Sequence, residues 1–199
     1  MSSQFSRPKA IIFDWDNTLV DSWKTIHQAL NATLTNFGSE PWSLEYTKAN
    51  VQKSMRDSFP GLFGNHWEKA GEFFYEQYEA IHIETLSPLE GAEQTLVALR
   101  KEGIYLAVVS NKKGNYLRQE VTHLGWDTFF GQIVGALDAE QDKPAIAPVK
   151  LALNRSGVNE GSVIWFAGDS QVDLECAHNS NCVPILIRKK EPESHEFKD

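Results

Sequence analysis

Short apolar runs that stop abruptly at polar side chains constrain this chain more than any other feature. Ala10-Ile11-Ile12-Phe13 is followed by Asp14, residues 105–109 run into Ser110-Asn111, and residues 163–167 run into Gly168-Asp169. Pro184-Ile185-Leu186-Ile187 makes a fourth run and Gln132-Ile133-Val134 a weak fifth. Runs this short, with β-branched residues, read as buried strands, and continuously apolar strands belong to a parallel sheet covered on both faces. Helical patterns lie between them. Ala92, Leu96 and Leu99 share one face before Gly103, and Leu117, Val121 and Leu124 share another before Gly125. Val149, Leu151, Ala152 and Leu153 stop near Gly157, and residues 173–177 open a further helix. Strands alternating with helices predict a doubly wound, Rossmann-like α/β domain.

Residues 21–88 break that rhythm. They hold helix formers and many aromatics, among them Trp23, Phe37, Trp42, Trp67, Phe73, Phe74, Tyr75 and Tyr78, with no convincing strand. Ile26, Leu30, Thr33, Leu34 and Phe37 follow the helical period. A stretch this long is no ordinary crossover. The expected organisation is a sheet domain from residues 1–20 and 89–199, with residues 21–88 inserted as a small all-helical cap. Hinges are expected at Val20-Asp21-Ser22 and Leu86-Ser87-Pro88, and Trp42 and Trp67 are expected in the core of the insert.

Composition excludes several classes of function. The 199 residues carry 19 Lys and Arg against 27 Asp and Glu, a net charge of −8, which leaves no electrostatic footprint for nucleic acid. No run approaches the ~18 apolar residues of a membrane span, and Asp14 interrupts the first apolar stretch too early for a signal-peptide core. Two cysteines, Cys176 and Cys182, are too few for a disulfide scaffold or a four-ligand zinc site, so both are read as reduced core residues. The expectation is a cytoplasmic protein, monomeric or weakly dimeric, without nucleic-acid or membrane partners. The six histidines are scattered and receive no role, and the charged tail, residues 188–199, is expected to fray.

The chemistry lies just beyond the carboxyl ends of the predicted strands, the edge where open α/β sheets bind ligands. Asp14 and Asp16 are two apart, so at a strand end both side chains point the same way. Carboxylates held together repel unless a cation sits between them, and Asp169 adds to the crowding. Magnesium, a hard cation that takes oxygen ligands, answers that need. Ser110, Asn111 and Lys143 would then supply hydrogen bonds and positive charge, a combination suited to a phosphoryl group. Each element has a plainer reading when taken alone. The Asp pair can cap a helix, Ser110-Asn111 can be a turn, Lys143 a solvated charge, and Gly168-Asp169 a strand-to-helix turn. Their order along one sheet edge favours the joint reading.

Asp14-Trp15-Asp16-Asn17-Thr18-Leu19-Val20, Ser110-Asn111, Lys143-Pro144 and Gly168-Asp169-Ser170-Gln171-Val172-Asp173 together resemble the four ordered motifs of the haloacid dehalogenase superfamily. The resemblance spans nearly the whole chain and is strongest to the phosphoglycolate phosphatase-like branch, which carries a small helical cap between the first two motifs. It implies a magnesium-dependent phosphatase acting on a small-molecule phosphate ester. Asp14 would be the nucleophile, forming an aspartyl-phosphate, and Asp16 the general acid and base. Magnesium would be held by the Asp14 carboxylate, the Asp16 carbonyl and Asp169, with Asp173 behind them. Ser110, Asn111, Lys143 and the amides of Trp15 and Asp16 would hold the phosphoryl, and Thr18 would support the loop. Asn17 stands where Gly is commoner, a change compatible with a left-handed backbone.

Other chemistries of the superfamily fit less well. A true dehalogenase needs neither the metal nor a second acid–base Asp, and none of Lys24, Lys48 or Lys53 sits in an apolar run suited to a Schiff-base lysine. A phosphosugar mutase remains the main alternative, followed by a catalytically silent metal-binding interaction protein. A receiver domain would lack the helical insert. In residues 51–61, read as a loop between cap helices, Lys53, Ser54 and Arg56 are the candidates to meet the leaving group, with a solvated turn as the competing reading.

Overall fold

The computed structural model describes residues 6–51, 53–159 and 161–188. The first apolar run forms β1 (Ala10–Phe13), buried at every position. A two-residue strand, β2 (Val20–Asp21), then leads into four helices: α1 (Trp23–Asn36), α2 (Leu44–Asn50), α3 (Met55–Phe63) and α4 (Trp67–Thr85). The chain returns through β3 (Ser87–Pro88) and continues as α5 (Ala92–Lys101), β4 (Tyr105–Lys113), α6 (Gly114–His123) and β5 (Gln132–Ala136). It ends with α7 (Ala147–Leu153), β6 (Ile164–Gly168), α8 (Gln171–Asn179) and β7 (Val183–Leu186).

Five strands form one parallel sheet in the order β5-β4-β1-β6-β7. Strand β1 is central, with β4 on one side and β6 on the other, so the crevice beyond its carboxyl end is the switch point of the sheet. Side chains alternate across it. Ile11, Phe13, Leu106 and Val108 pack with Leu96, Leu117 and Trp126 on one face, while Ile12, Ala107, Val109 and Phe166 pack with Val149 and Ala177 on the other. Each Val, Leu, Ile or Phe among them contributes roughly 1.5–3 kcal/mol on full burial. Cys176 and Cys182 are free thiols within the second cluster, as expected of core residues.

The structure departs from the sequence reading in three places. The two expected hinge segments pair with each other, Val20 opposite Pro88 and Asp21 opposite Ser87, as an antiparallel ribbon at the base of the insert. Strand β4 does not stop at Val109. It runs on to Lys113 with a break in register against β5, and the Ser110 hydroxyl accepts the Lys112 amide at 3.1 Å across the irregularity. Residues 55–61, expected as loop, are helical. Ser54 and Asp57 open α3 with a hydroxyl-to-carboxylate bond of 2.9 Å, and Pro60 is carried inside the helix.

Within the insert, Leu30, Leu34, Phe59, Phe63 and Ala70 form a separate apolar cluster, with Trp42 and Trp67 against it. Of the charged tail, only Arg188 lies within the described residues. No helix among the described residues is long and apolar enough to cross a membrane.

Candidate active site

Strand β1 ends at Phe13, and the chain turns at once. The amides of Leu19 and Val20 both donate to the Trp15 carbonyl, and Asn17 sits at φ +63. A left-handed residue is what the turn needs, and the Asn17 carboxamide oxygen steadies it by accepting the Ser22 amide at 3.3 Å. The turn overrides the two-residue alternation of a strand. Asp14 and Asp16 therefore do not share a cluster of oxygens: Asp14 faces Lys143, whereas Asp16 faces Lys112.

Asp14 lies almost wholly buried on the floor of a cavity of about 920 Å³ between the sheet edge and the helical insert. Lys143 Nζ donates to Asp14 Oδ1 at 2.6 Å and to Asp173 Oδ1 at 2.7 Å. The other oxygen of Asp173 accepts the Ser170 amide and hydroxyl, closing a capping box at the start of α8. Gly168 makes room for this approach, since a Cβ there would stand 2.3 Å from the Asp173 side chain. Thr18 reaches Asp14 Oδ2 at 3.5 Å, the outer limit of a hydrogen bond.

One carboxylate oxygen from each of Asp14, Asp169 and Asp173 lies within 4.8 Å of the others. Lys143 is the cation placed among them, and it does not balance the charge. Burial, reinforced by Asp173 and Asp16 and opposed by Lys143, raises the Asp14 carboxyl to about 7. Burial with Asp14 and Asp173 raises Asp169 to about 8. Burial works against the Lys143 ammonium, yet Asp14 and Asp173 outweigh it and hold its pKa well above the usual lysine value. An all-oxygen donor set with surplus negative charge fits a hard divalent cation.

The second motif is placed differently from the simplest expectation. Ser110 is buried with its hydroxyl beside the cavity, but the Asn111 carboxamide is spent on the backbone of Lys143. It accepts the Lys143 amide at 3.0 Å and donates to the Lys143 carbonyl at 3.2 Å. In this arrangement Asn111 positions the lysine. The indole of Trp15 is fully buried and does not line the cavity, so the Trp15 side chain is not brought to it.

The two cap residues separate. Lys53 lines the cavity, whereas Arg56 does not. Its guanidinium pairs with Asp142 at 2.6 Å beside a second, shallower cleft. Because Asp142 immediately precedes Lys143, Arg56 ties the insert to the sheet domain, and the structure does not bring it to Asp14. Placing Arg56 on the first turn of a helix, rather than in a loop, turns it toward the core.

A set of residues beside the site escaped the sequence reading. Glu120 on α6 is fully buried and accepts four donors: Trp15 Nε1 at 2.6 Å, Lys112 Nζ at 2.5 Å, Tyr78 OH at 2.8 Å and His82 Nδ1 at 2.9 Å. Lys112 Nζ also pairs with Asp16 Oδ1 at 2.6 Å. The signal was present. Glu120 falls on the same helical face as Leu117, Val121 and Leu124, so a carboxylate was due to be buried there and needed donors.

Comparison with known proteins gives a family and a fold. A family model described as haloacid dehalogenase-like hydrolase matches residues 11–187. A phosphoglycolate phosphatase of Cereibacter sphaeroides is 32% identical over 179 residues, covering 84% of this chain and 79% of that protein. A crystal structure of a haloacid dehalogenase-superfamily hydrolase from Ehrlichia chaffeensis is 28% identical, covers 93% of each chain and has a TM-score of 0.64. A solved chain from Bacteroides fragilis reaches a TM-score of 0.87 at 22% identity, covering 96% of this chain and 92% of that one, a likeness of fold alone.

Proposed function

The chain belongs to the haloacid dehalogenase-like hydrolase family, and from that premise we propose that it is a magnesium-dependent phosphatase of the phosphoglycolate phosphatase-like branch, hydrolysing a small phosphate monoester. The observation that carries this reading is the floor of the cavity, where Lys143 bridges Asp14 and Asp173 beside Asp169.

Asp14 is the nucleophile. Lys143 holds one of its oxygens, which orients the carboxylate and offsets the charge of an incoming phosphate. Attack on phosphorus forms an aspartyl-phosphate and breaks the bond to the ester oxygen, and Asp16 gives that oxygen its proton. Asp16 then removes a proton from water, which attacks the phosphorus, releases inorganic phosphate and restores Asp14. Asp14, Asp169 and the Asp16 carbonyl would hold magnesium, with Asp173 behind them. When bound, the cation supplies the positive charge that phosphoryl transfer demands. Ser110 and Lys143 hold the phosphoryl oxygens, and Asn111 keeps Lys143 in place. Residues 21–88 act as the cap that shields the reaction from bulk water.

The test is hydrolysis of p-nitrophenyl phosphate and a panel of small esters, including phosphoglycolate, with magnesium and with chelator. Asp14→Asn is expected to abolish turnover, and chelation to do the same. A variant that kept hydrolysing would remove Asp14 as nucleophile. Glucose 1-phosphate separates the mutase alternative, since a phosphatase releases one phosphate per ester consumed and a mutase releases little.

A further inference from the structure

Asp16 must be in position to protonate a leaving group, yet nothing on its own loop holds its carboxylate. The hold comes from Lys112, whose ammonium stands 2.6 Å from Asp16 Oδ1. The Lys112 side chain is only 5% exposed and is in turn fixed by Glu120, which it meets at 2.5 Å. Glu120 gathers donors from both parts of the molecule. Trp15, between Asp14 and Asp16, and Lys112 belong to the sheet domain; Tyr78 and His82 belong to α4 of the insert. Rings pack around the same point: Tyr78 stacks on His82 with centroids 5.1 Å apart, and Lys112 Nζ lies 5.4 Å over the Tyr78 ring.

A fully buried carboxylate with four donors is costly to assemble and leaves a severe penalty if any donor withdraws. An apolar residue would fill the same space without that risk. The carboxylate is fully satisfied here with α4 in place, since Tyr78 and His82 supply two of its four donors.

We propose that Glu120 is the positioning residue for Asp16, holding Lys112 on its carboxylate only while Tyr78 and His82 of the insert are docked. The inference rests on the phosphatase reading, with Asp16 as the acid, and adds a residue and a cap-dependent control to it. Seating of the insert over a substrate and placement of the proton donor become one event, so an open site holds a poorly placed acid.

The experiment compares kcat/KM for two esters, because that ratio reports steps only up to departure of the leaving group. p-Nitrophenolate leaves without a proton, whereas an alkoxide needs one. In Glu120→Gln, kcat/KM for phosphoglycolate, or for the alkyl ester that the wild type turns over fastest, is expected to fall by about 10- to 100-fold, and that for p-nitrophenyl phosphate by about 3-fold or less. Lys112→Gln is expected to show the same split. Tyr78→Phe removes only a hydroxyl from the insert and guards against a Glu120 variant that does not fold; it is expected to show a smaller split in the same direction. Equal losses for both esters, the mark of a merely structural role, would overturn the proposal. So would a Tyr78→Phe enzyme with no preference. A wild type active on the aryl ester but on no alkyl ester overturns it too, since no acid is then assisting departure. If the wild type hydrolyses neither, the phosphatase reading itself fails and removes the premise.

Discussion

A single ammonium, Lys143, faces Asp14, Asp169 and Asp173, and this imbalance governs how the site responds to protons and to a cation. Carboxyls raised to about 7 and about 8 take up protons on folding, so each weakens the fold as pH rises from the ordinary carboxylate range through those values. Asp169→Asn removes one of these charges. It should raise the Tm of chelator-treated protein at pH 8, by about 2–4 °C for each kcal/mol relieved, with a smaller gain at pH 5. The same variant should lose turnover, and a thermal scan beside an activity assay checks both. Magnesium should stabilise the wild type by about 2.7 kcal/mol at a hundred times its Kd, an effect that Asp169→Asn should largely remove. Asp14, Lys143 and Asp169 were legible in the sequence because their residue types follow predicted strands in a fixed order. Lys112 and Glu120 were not read: the helical period marked Glu120 for burial, but nothing in the order of residues told which donors would meet it there.

At the scale of elements, the strands and helices of the sheet domain were readable to within a few residues, since apolar period and glycine stops agree there. The irregular pieces were not. The β2–β3 ribbon is too short to carry a pattern, and the extension of β4 depends on a side-chain bond from Ser110 that no periodicity encodes. Helix α3 was hidden by Pro60 and Gly61, which punctuate loops more often than helices. One close approach makes a sharp prediction. Gly168 ends β6 where the Asp173 side chain crosses it, and a methyl there would meet Asp173 atoms at 2.3 Å. Gly168→Ala should cost about 1–3 kcal/mol of stability and push Asp173 off Lys143. Urea titration should show the lower midpoint, and kcat should fall because Lys143 loses one of its two anchors.

Among the contacts that join the insert to the sheet domain across the site are Arg56 with Asp142 and the donors of α4 with Glu120. Arg56→Ala should lower Tm and change kcat/KM by a similar factor for every ester, because the guanidinium holds the insert and touches no leaving group; a loss confined to acidic esters would place it in the cavity instead. Glu120 adds a dependence on acid. Burial alone would raise its carboxyl, but Lys112 and the bonds from His82, Lys112 and Tyr78 bring it down to about 2 from 4.5. A folded pKa below the unfolded one stabilises above the unfolded value, and that contribution is lost as pH falls from 4.5 toward 2. Asp14 and Asp169 act with the opposite sign, relieving strain on the fold as pH falls through about 8 and about 7. Chelator-treated protein should therefore be most stable at roughly pH 4, where the acid window of Glu120 meets the lower end of the upper window set by Asp14 and Asp169. Bound magnesium neutralises the upper window and should move the maximum toward neutral pH, while Glu120→Gln should flatten the acid limb and leave the alkaline limb in place. Denaturant midpoints measured from pH 3 to pH 9, with and without magnesium, decide it: an acid limb unchanged in Glu120→Gln would mean that the junction of insert and sheet domain does not depend on that carboxylate.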